Sequence, residues 1–139
     1  MKKRLRNFAA LALGALAALA QADEPRSARE GIYTAAQAQR GAALYAQKCE
    51  TCHGAKLTAG EAPPLAGADF MANWRDYSVG DLFEKLRNTM PANDPRSLGA
   101  REYAELVALI LEANGFRAGA SELPEAPARL KSIRFEAAP

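Results

Sequence analysis

Both cysteines and the only histidine of this 139-residue chain fall within five positions of the string AQKCETCHGA, as Cys49, Cys52 and His53. Two thiols and an imidazole this close can do four kinds of chemistry: switch as a disulfide, hold a metal ion, act as an activated thiol, or anchor a covalent cofactor. A thioredoxin-like C-x-x-C pair belongs at a strand-to-helix junction of an α/β pattern, and no run of this sequence reads as a credible sheet. A structural zinc site needs four ligands, and beyond these three only carboxylates remain. A catalytic thiol beside a histidine would leave the second cysteine without a task.

Covalent haem attachment uses all three residues, because C-x-x-C-H is its signature. Two thiols three positions apart on one helical turn can add to the two vinyl groups of the macrocycle, and the next residue then directs its imidazole at the iron. Both cysteines are consumed as thioethers, so no disulfide is expected. Iron bound by His53 has a second axial position, and with one histidine in the chain a methionine is the natural ligand. Met90 is preferred over Met71. It lies 37 residues beyond His53, enough chain to reach around the macrocycle edge, and Pro91 restricts the backbone that follows. Without the haem motif, Met90 would read as the last core residue of an amphipathic helix, the commoner use of methionine. Met71, near Phe70 and Trp74, is expected to line the pocket.

The segments that must position these groups read as helices. TAAQ, from Thr34 to Gln37, is a capping-box string that predicts a helix running to about Lys48. Residues 54–77, with Gly and paired Pro, predict a long loop with one short helical turn near Phe70 to Trp74. A loop of that length in a small domain is expected to wrap something. SVGD then starts a second helix, with Val79, Leu82, Phe83, Leu86 and Met90 on one face and Pro91 as its stop. After a turn, AREYAELVALILEANG is a third helix with a broad apolar arc, a start at Gly99 and a stop at Asn114 and Gly115. LKSIRF, Leu130 to Phe135, alternates as a short extended segment, with no partner strand evident.

Ahead of these elements, Lys2, Lys3, Arg4 and Arg6 precede an apolar run from Phe8 to Ala20. That run is about 13 residues, against roughly 20 for a membrane-spanning helix, and A-x-A sites end at Ala20 and Ala22. Residues 1–22 therefore read as a signal peptide, cleaved after Ala22, with no permanent membrane span left behind. Cleavage would leave 117 residues and turn a formal charge of +2 into −2, since four of the 18 basic residues go and all 16 acidic ones stay. The remaining Lys and Arg are scattered rather than striped, which argues against a nucleic-acid partner. The expected organisation is a flexible leader over 23–33, one domain over 34–117 and a C-terminal tail over 118–139 that docks either on the domain or on a partner.

From about Thr34 to Gly115 the chain resembles a class I monohaem cytochrome c of the bacterial periplasmic type, an all-α fold of about three main helices and short turns around one covalent haem. GAALYAQKCETCHG is similar to that family's first helix and EYAELVALILEANG to its last. The resemblance implies that Gly41 and Tyr45 cross Leu106 and Leu109, with Leu109 standing where the family often has an aromatic residue. APPLAG resembles the segment that lines the haem, which implies cofactor contacts from Pro63 and Leu65 and a hydrogen bond from the haem histidine to the Pro63 carbonyl. The stretch from Phe70 to Gly99, and ELP followed by RLKSIRF, look like the cytochromes associated with quinoprotein alcohol dehydrogenases.

The reading so reached is a periplasmic electron carrier, not an enzyme, with haem c held by Cys49 and Cys52 and His53 and Met90 as axial ligands. Its implied partners are redox proteins: a quinoprotein dehydrogenase as donor, and a cytochrome or terminal oxidase as acceptor. The alternatives are a permanent subunit of such a dehydrogenase, docked by its tail, and an open-site haem enzyme or gas sensor.

Overall fold

The computed structural model describes residues 26–58 and 60–135. The expected signal peptide, 1–22, lies outside the described residues. Three longer helices dominate: α1 (Ala35–Lys48), α4 (Val79–Thr89) and α5 (Ala100–Ala113). Between them come α2 (Glu50–His53) and α3 (Ala68–Trp74), and α6 (Pro127–Leu130) follows α5. Strand β1 (Arg26–Ser27) precedes α1, and β2 (Ile133–Arg134) ends the described chain.

Local chemistry sets most helix ends. The Thr34 hydroxyl accepts from the Gln37 amide at the start of α1. Ser78 and Asp81 cap α4 reciprocally, each side chain accepting from the other's backbone N–H. Helix α5 begins at Gly99, whose N–H donates to the Glu102 carboxylate. Gly115 follows Asn114 with φ of 80°, the left-handed conformation that glycine enters without a Cβ penalty.

Packing centres on α5, where every residue from Tyr103 to Leu111 is buried. Its broad apolar arc meets α1 on one side and α4 on another, so no face of its middle is left for solvent. Helix α1 buries Gln37, Ala38, Gly41 and Tyr45. The crossing closes at Gly41, where a Cβ would lie 2.0 Å from the Glu105 carbonyl oxygen and 3.2 Å from the Leu109 Cβ. The partner of Gly41 is thus the backbone of α5 at Glu105, a tighter approach than the side-chain crossing with Leu106 implied by resemblance. The Glu105 carboxylate beside it is only 7% exposed and accepts from Arg40 at 2.6 Å and Arg101 at 3.1 Å. A carboxylate this buried needs such partners.

Within the described residues the leader is paired and packed against the domain. Arg26–Ser27 pair in parallel with Ile133–Arg134, and Ala28, Ile32 and Tyr33 are buried. The Tyr33 hydroxyl donates to the Phe116 carbonyl, and the Gly119 N–H donates to the Tyr33 carbonyl at 2.7 Å. The polar composition of 26–33 hides three apolar side chains that bury against segments distant in sequence, so no local period marks them.

The tail is equally bound, and the partner strand that LKSIRF lacked is the leader's β1. Leu123, Leu130, Ile133 and Phe135 are buried, with Phe135 edge-on to Phe70 of α3 at 6.2 Å and to Phe116 at 5.8 Å. Gln37, 1% exposed, donates its Nε2 to the Leu123 carbonyl at 3.0 Å and accepts from the Leu123 N–H at 2.7 Å. The capping-box reading sent that amide back to the start of α1; the tail takes both of its hydrogen bonds instead. Tail and α4 touch at Gly80, where a Cβ would fall 2.7 Å from the Lys131 nitrogen.

Lys131 ties that contact electrostatically, donating at 2.7 Å to both Asp81 and Glu84 of α4. Burial raises the Asp81 pKa, but the hydrogen bonds from Lys131 and Ser78 outweigh it and hold the carboxyl at about 2. The unfolded carboxyl titrates near its ordinary value of about 3.9. A depressed folded pKa contributes stability that is present above about pH 4 and is lost as pH falls toward 2. Discounted for the exposure of the pair, about 1 kcal/mol should disappear over that window. Acid unfolding curves of the wild type and Asp81→Asn should therefore differ in slope between pH 4 and 2 and run parallel above pH 5. Identical slopes would show that Asp81 is not held down by this contact.

Candidate functional site

Helix α1 ends at Cys49, and α2 carries the rest of the motif as one further turn. The Cys49 carbonyl accepts from the N–H groups of Cys52 at 3.2 Å and His53 at 3.0 Å, which places both thiols and the imidazole on a single turn. Both cysteines are free, Cys49 half-buried and Cys52 exposed. Burial, and then the neighbouring Cys52, push the Cys49 thiol above its ordinary range. An activated thiol needs the opposite shift, so Cys49 does not have the environment of a catalytic thiolate. Among the described residues no three His, Cys, Asp or Glu side chains converge as an ion site.

His53 is 7% exposed, and its Nδ1 lies 2.9 Å from the Pro63 carbonyl oxygen. A carbonyl only accepts, so Nδ1 carries the proton and Nε2 keeps its lone pair. That is the tautomer of a metal-binding imidazole oriented by an outer partner.

The loop that presents Pro63 is tied down at several points. The Ala62 N–H donates to the Cys52 carbonyl at 3.1 Å, and the Leu65 and Ala66 N–H groups donate to the Leu57 carbonyl at 2.7 and 3.2 Å. Leu57 sits at φ 59°, a conformation that costs a non-glycine residue about 1–2 kcal/mol and persists only where surroundings impose it. Beyond Leu65, Asn114 grips the chain from the end of α5, its Nδ2 donating to the Leu65 carbonyl at 2.9 Å and its Oδ1 accepting from the Gly67 N–H at 3.0 Å. A Cβ at Gly60 would fall 2.2 Å from the Cys52 carbonyl oxygen, so the loop is pressed against the attachment turn.

Tyr45 closes the other side of the turn, its hydroxyl donating to the Gly54 carbonyl at 2.6 Å. Burial, then the nearby Cys49 and Glu50, push this phenol up to about 12.

Met90 is the extended residue that ends α4, its N–H donating to the Leu86 carbonyl at 2.8 Å. It is half-buried, as is Met71 in α3. Leu65, Met71, Trp74 and Leu98 all pack on the core while remaining partly exposed. The donor set fits a haem c: two uncommitted thiols on one turn, an imidazole with Nε2 unencumbered, a thioether at a helix end, and half-covered apolar side chains.

Sequence reasoning placed Cys49, Cys52, His53 and Pro63 in one unit, and the structure brings these four together. It missed Leu57, Asn114 and the hydroxyl of Tyr45. The Asn114–Gly115 pair was legible only as a helix stop, since beside the local bond to the Ile110 carbonyl the amide's loop partners, Leu65 and Gly67, lie some 50 residues earlier in the chain.

A protein-family model described as "Cytochrome C oxidase, cbb3-type, subunit III" matches residues 36–110, more than half of the chain. Comparison with curated proteins and with solved structures returns no match. The matched span runs from the second residue of α1 through the C-x-x-C-H turn to Ile110 of α5, and so includes both sides of the Gly41 crossing. The chain therefore belongs to this family of c-type cytochrome domains, with a class I cytochrome c fold and covalently bound haem c, Cys49 and Cys52 lying in the position of the C-x-x-C-H motif.

Proposed function

We propose that the protein is an exported, periplasmic single-electron carrier in which His53 and Met90 are the two axial ligands of the haem iron. The observation that carries this reading is the His53 Nδ1 to Pro63 hydrogen bond of 2.9 Å, which commits one ring nitrogen and leaves the other for iron. When bound, the haem supplies an iron that cycles between Fe(II) and Fe(III), with imidazole and thioether together favouring the reduced state. The chain's own task is to bind, orient and shield. Cys49 and Cys52 hold the macrocycle covalently, Pro63 fixes the imidazole plane, and Leu65 and Met71 lend apolar cover. With His53 and Met90 both bound to the iron, the chain would leave no substrate site at the metal, which supports a carrier rather than an enzyme.

Export rests on the signal-peptide character of residues 1–22, and no helix among the described residues is long and apolar enough to cross a membrane. Redox proteins are the partners of a cytochrome c domain; the finer assignment is a quinoprotein dehydrogenase as donor and a cytochrome or terminal oxidase as acceptor. The likeness of Phe70 to Gly99 to dehydrogenase-associated cytochromes supports the donor. The oxidase named in the family description supports the acceptor.

An absorption spectrum of the matured holoprotein, oxidised and reduced, with and without CO, tests the ligand set. The far-red band of sulfur-ligated ferric haem and a reduced spectrum indifferent to CO are expected. A CO-shifted spectrum without that band would mean an open iron and would turn the reading toward a haem enzyme or gas sensor.

A further inference from the structure

Tyr103 is 1% exposed, yet its hydroxyl does not serve its own helix. It donates at 2.8 Å to the carbonyl of Met90, thirteen residues earlier in the chain. That carbonyl sits just past α4, among the helix-end acceptors that have no intrahelical donor. The Tyr103 ring stands edge-on to Phe83 of α4 at 6.2 Å, so the hydroxyl is aimed by packing and not free to swing.

We infer that Tyr103 is a positioning residue for Met90, holding the end of α4 that presents the thioether which would bind the haem iron together with His53. The inference rests on the proposed ligation by Met90. The mechanical path is continuous. The attachment turn is the direct extension of α1, α1 is locked to α5 through the backbone contact of Gly41 with Glu105, and α5 reaches Met90 through the Tyr103 hydroxyl. Helix α5 is therefore the common frame of both ligand-bearing segments. The segment from Pro91 to Gly99, with Arg96 at a positive φ of 67°, is largely exposed and offers little packing of its own to hold Met90. Removing the hydroxyl frees the Met90 carbonyl and enlarges the fraction of molecules in which sulfur has left the iron.

An exogenous ligand reads that fraction directly, because its apparent affinity is scaled by the population whose site is open. The ferric holoprotein would be titrated with imidazole at constant pH, following loss of the far-red band, for the wild type, Tyr103→Phe, Leu123→Ala and Met90→Leu. Tyr103→Phe keeps the ring and removes one hydrogen bond, and should lower the apparent imidazole Kd about tenfold. Leu123→Ala lowers global stability through the tail, where Leu123 is hydrogen-bonded to Gln37 near the start of α1, and should leave that Kd within about twofold of wild type. Met90→Leu should lack the band from the outset. An unchanged Kd in Tyr103→Phe, or an equal shift in Leu123→Ala, would overturn the positioning role while leaving the ligation intact. A band that survives in Met90→Leu would overturn the ligation reading itself.

Discussion

Truncation after Gly119 should leave a chain with no cooperative thermal transition, even though the haem motif and all three long helices remain. The cut removes Leu123, Leu130, Ile133 and Phe135, each nearly fully buried. A fully buried side chain of this kind contributes about 1.5–3 kcal/mol. Four together approach the about 5–15 kcal/mol that holds a whole domain. The cut also strands the Gln37 amide, whose two bonds to Leu123 are its only side-chain partners among the described residues. Leaving a buried amide unpaired adds about 1–3 kcal/mol more. Circular dichroism melts of the truncated and full-length holoproteins decide the matter. A cooperative transition within a few degrees of the full-length protein would show the tail to be a dispensable covering. The expected result also bears on the alternative in which the tail docks a dehydrogenase: its apolar residues face this domain, so deleting the tail would remove fold and dock together.

Gly41→Val should be the most damaging single substitution in the helix pair. Its Cβ would lie 2.0 Å from the Glu105 carbonyl oxygen and 2.7 Å from the carbonyl carbon. Both are backbone atoms of a helix buried from Tyr103 to Leu111, so neither can turn aside as a side chain would. Relief requires moving α1 from α5, which would also draw Arg40 from the buried Glu105 carboxylate. A cost of about 3 kcal/mol or more is expected from such overpacking, a fall in Tm of about 10–25 °C for a domain of this size. Ala42→Val, at the exposed neighbouring position, introduces the same β-branched residue into the same helix and should cost under about 1 kcal/mol. Similar melting temperatures for the two variants would remove the case for backbone contact at the crossing.

What was legible in the sequence was whatever depends on neighbours a few residues away. Cys49, Cys52 and His53 declare their chemistry because one helical turn brings them together wherever the rest of the chain goes. Thr34, Ser78 and Pro91 mark helix ends because caps and breaks act over three or four residues. The apolar faces of α4 and α5 show in their spacing for the same reason. SARE, Ser27 to Glu30, is also a capping-box string; its Glu30 carboxylate accepts from the Ser27 N–H, while the Ser27 hydroxyl accepts from the Arg29 N–H, and the polar composition around it concealed that signal.

What only the tertiary structure decided concerns residues whose partners are distant. Ala28, Ile32 and Tyr33 form no periodic face, and their burial exists only because the chain after α5 returns to cover them. The parallel pairing of Arg26–Ser27 with Ile133–Arg134 joins segments more than a hundred residues apart, and two residues of strand carry too little pattern to announce a partner. Gln37, Asn114 and Tyr103 each read locally as a cap, a stop and a core aromatic. Their polar ends serve Leu123, the Leu65–Gly67 loop and Met90, because a buried donor or acceptor must be satisfied by whichever backbone the fold brings within about 3 Å. The sequence thus determined the chemistry of the attachment turn and the helices that carry it, while long-range burial and hydrogen-bond satisfaction decided how the loop, the leader and the tail are held around it.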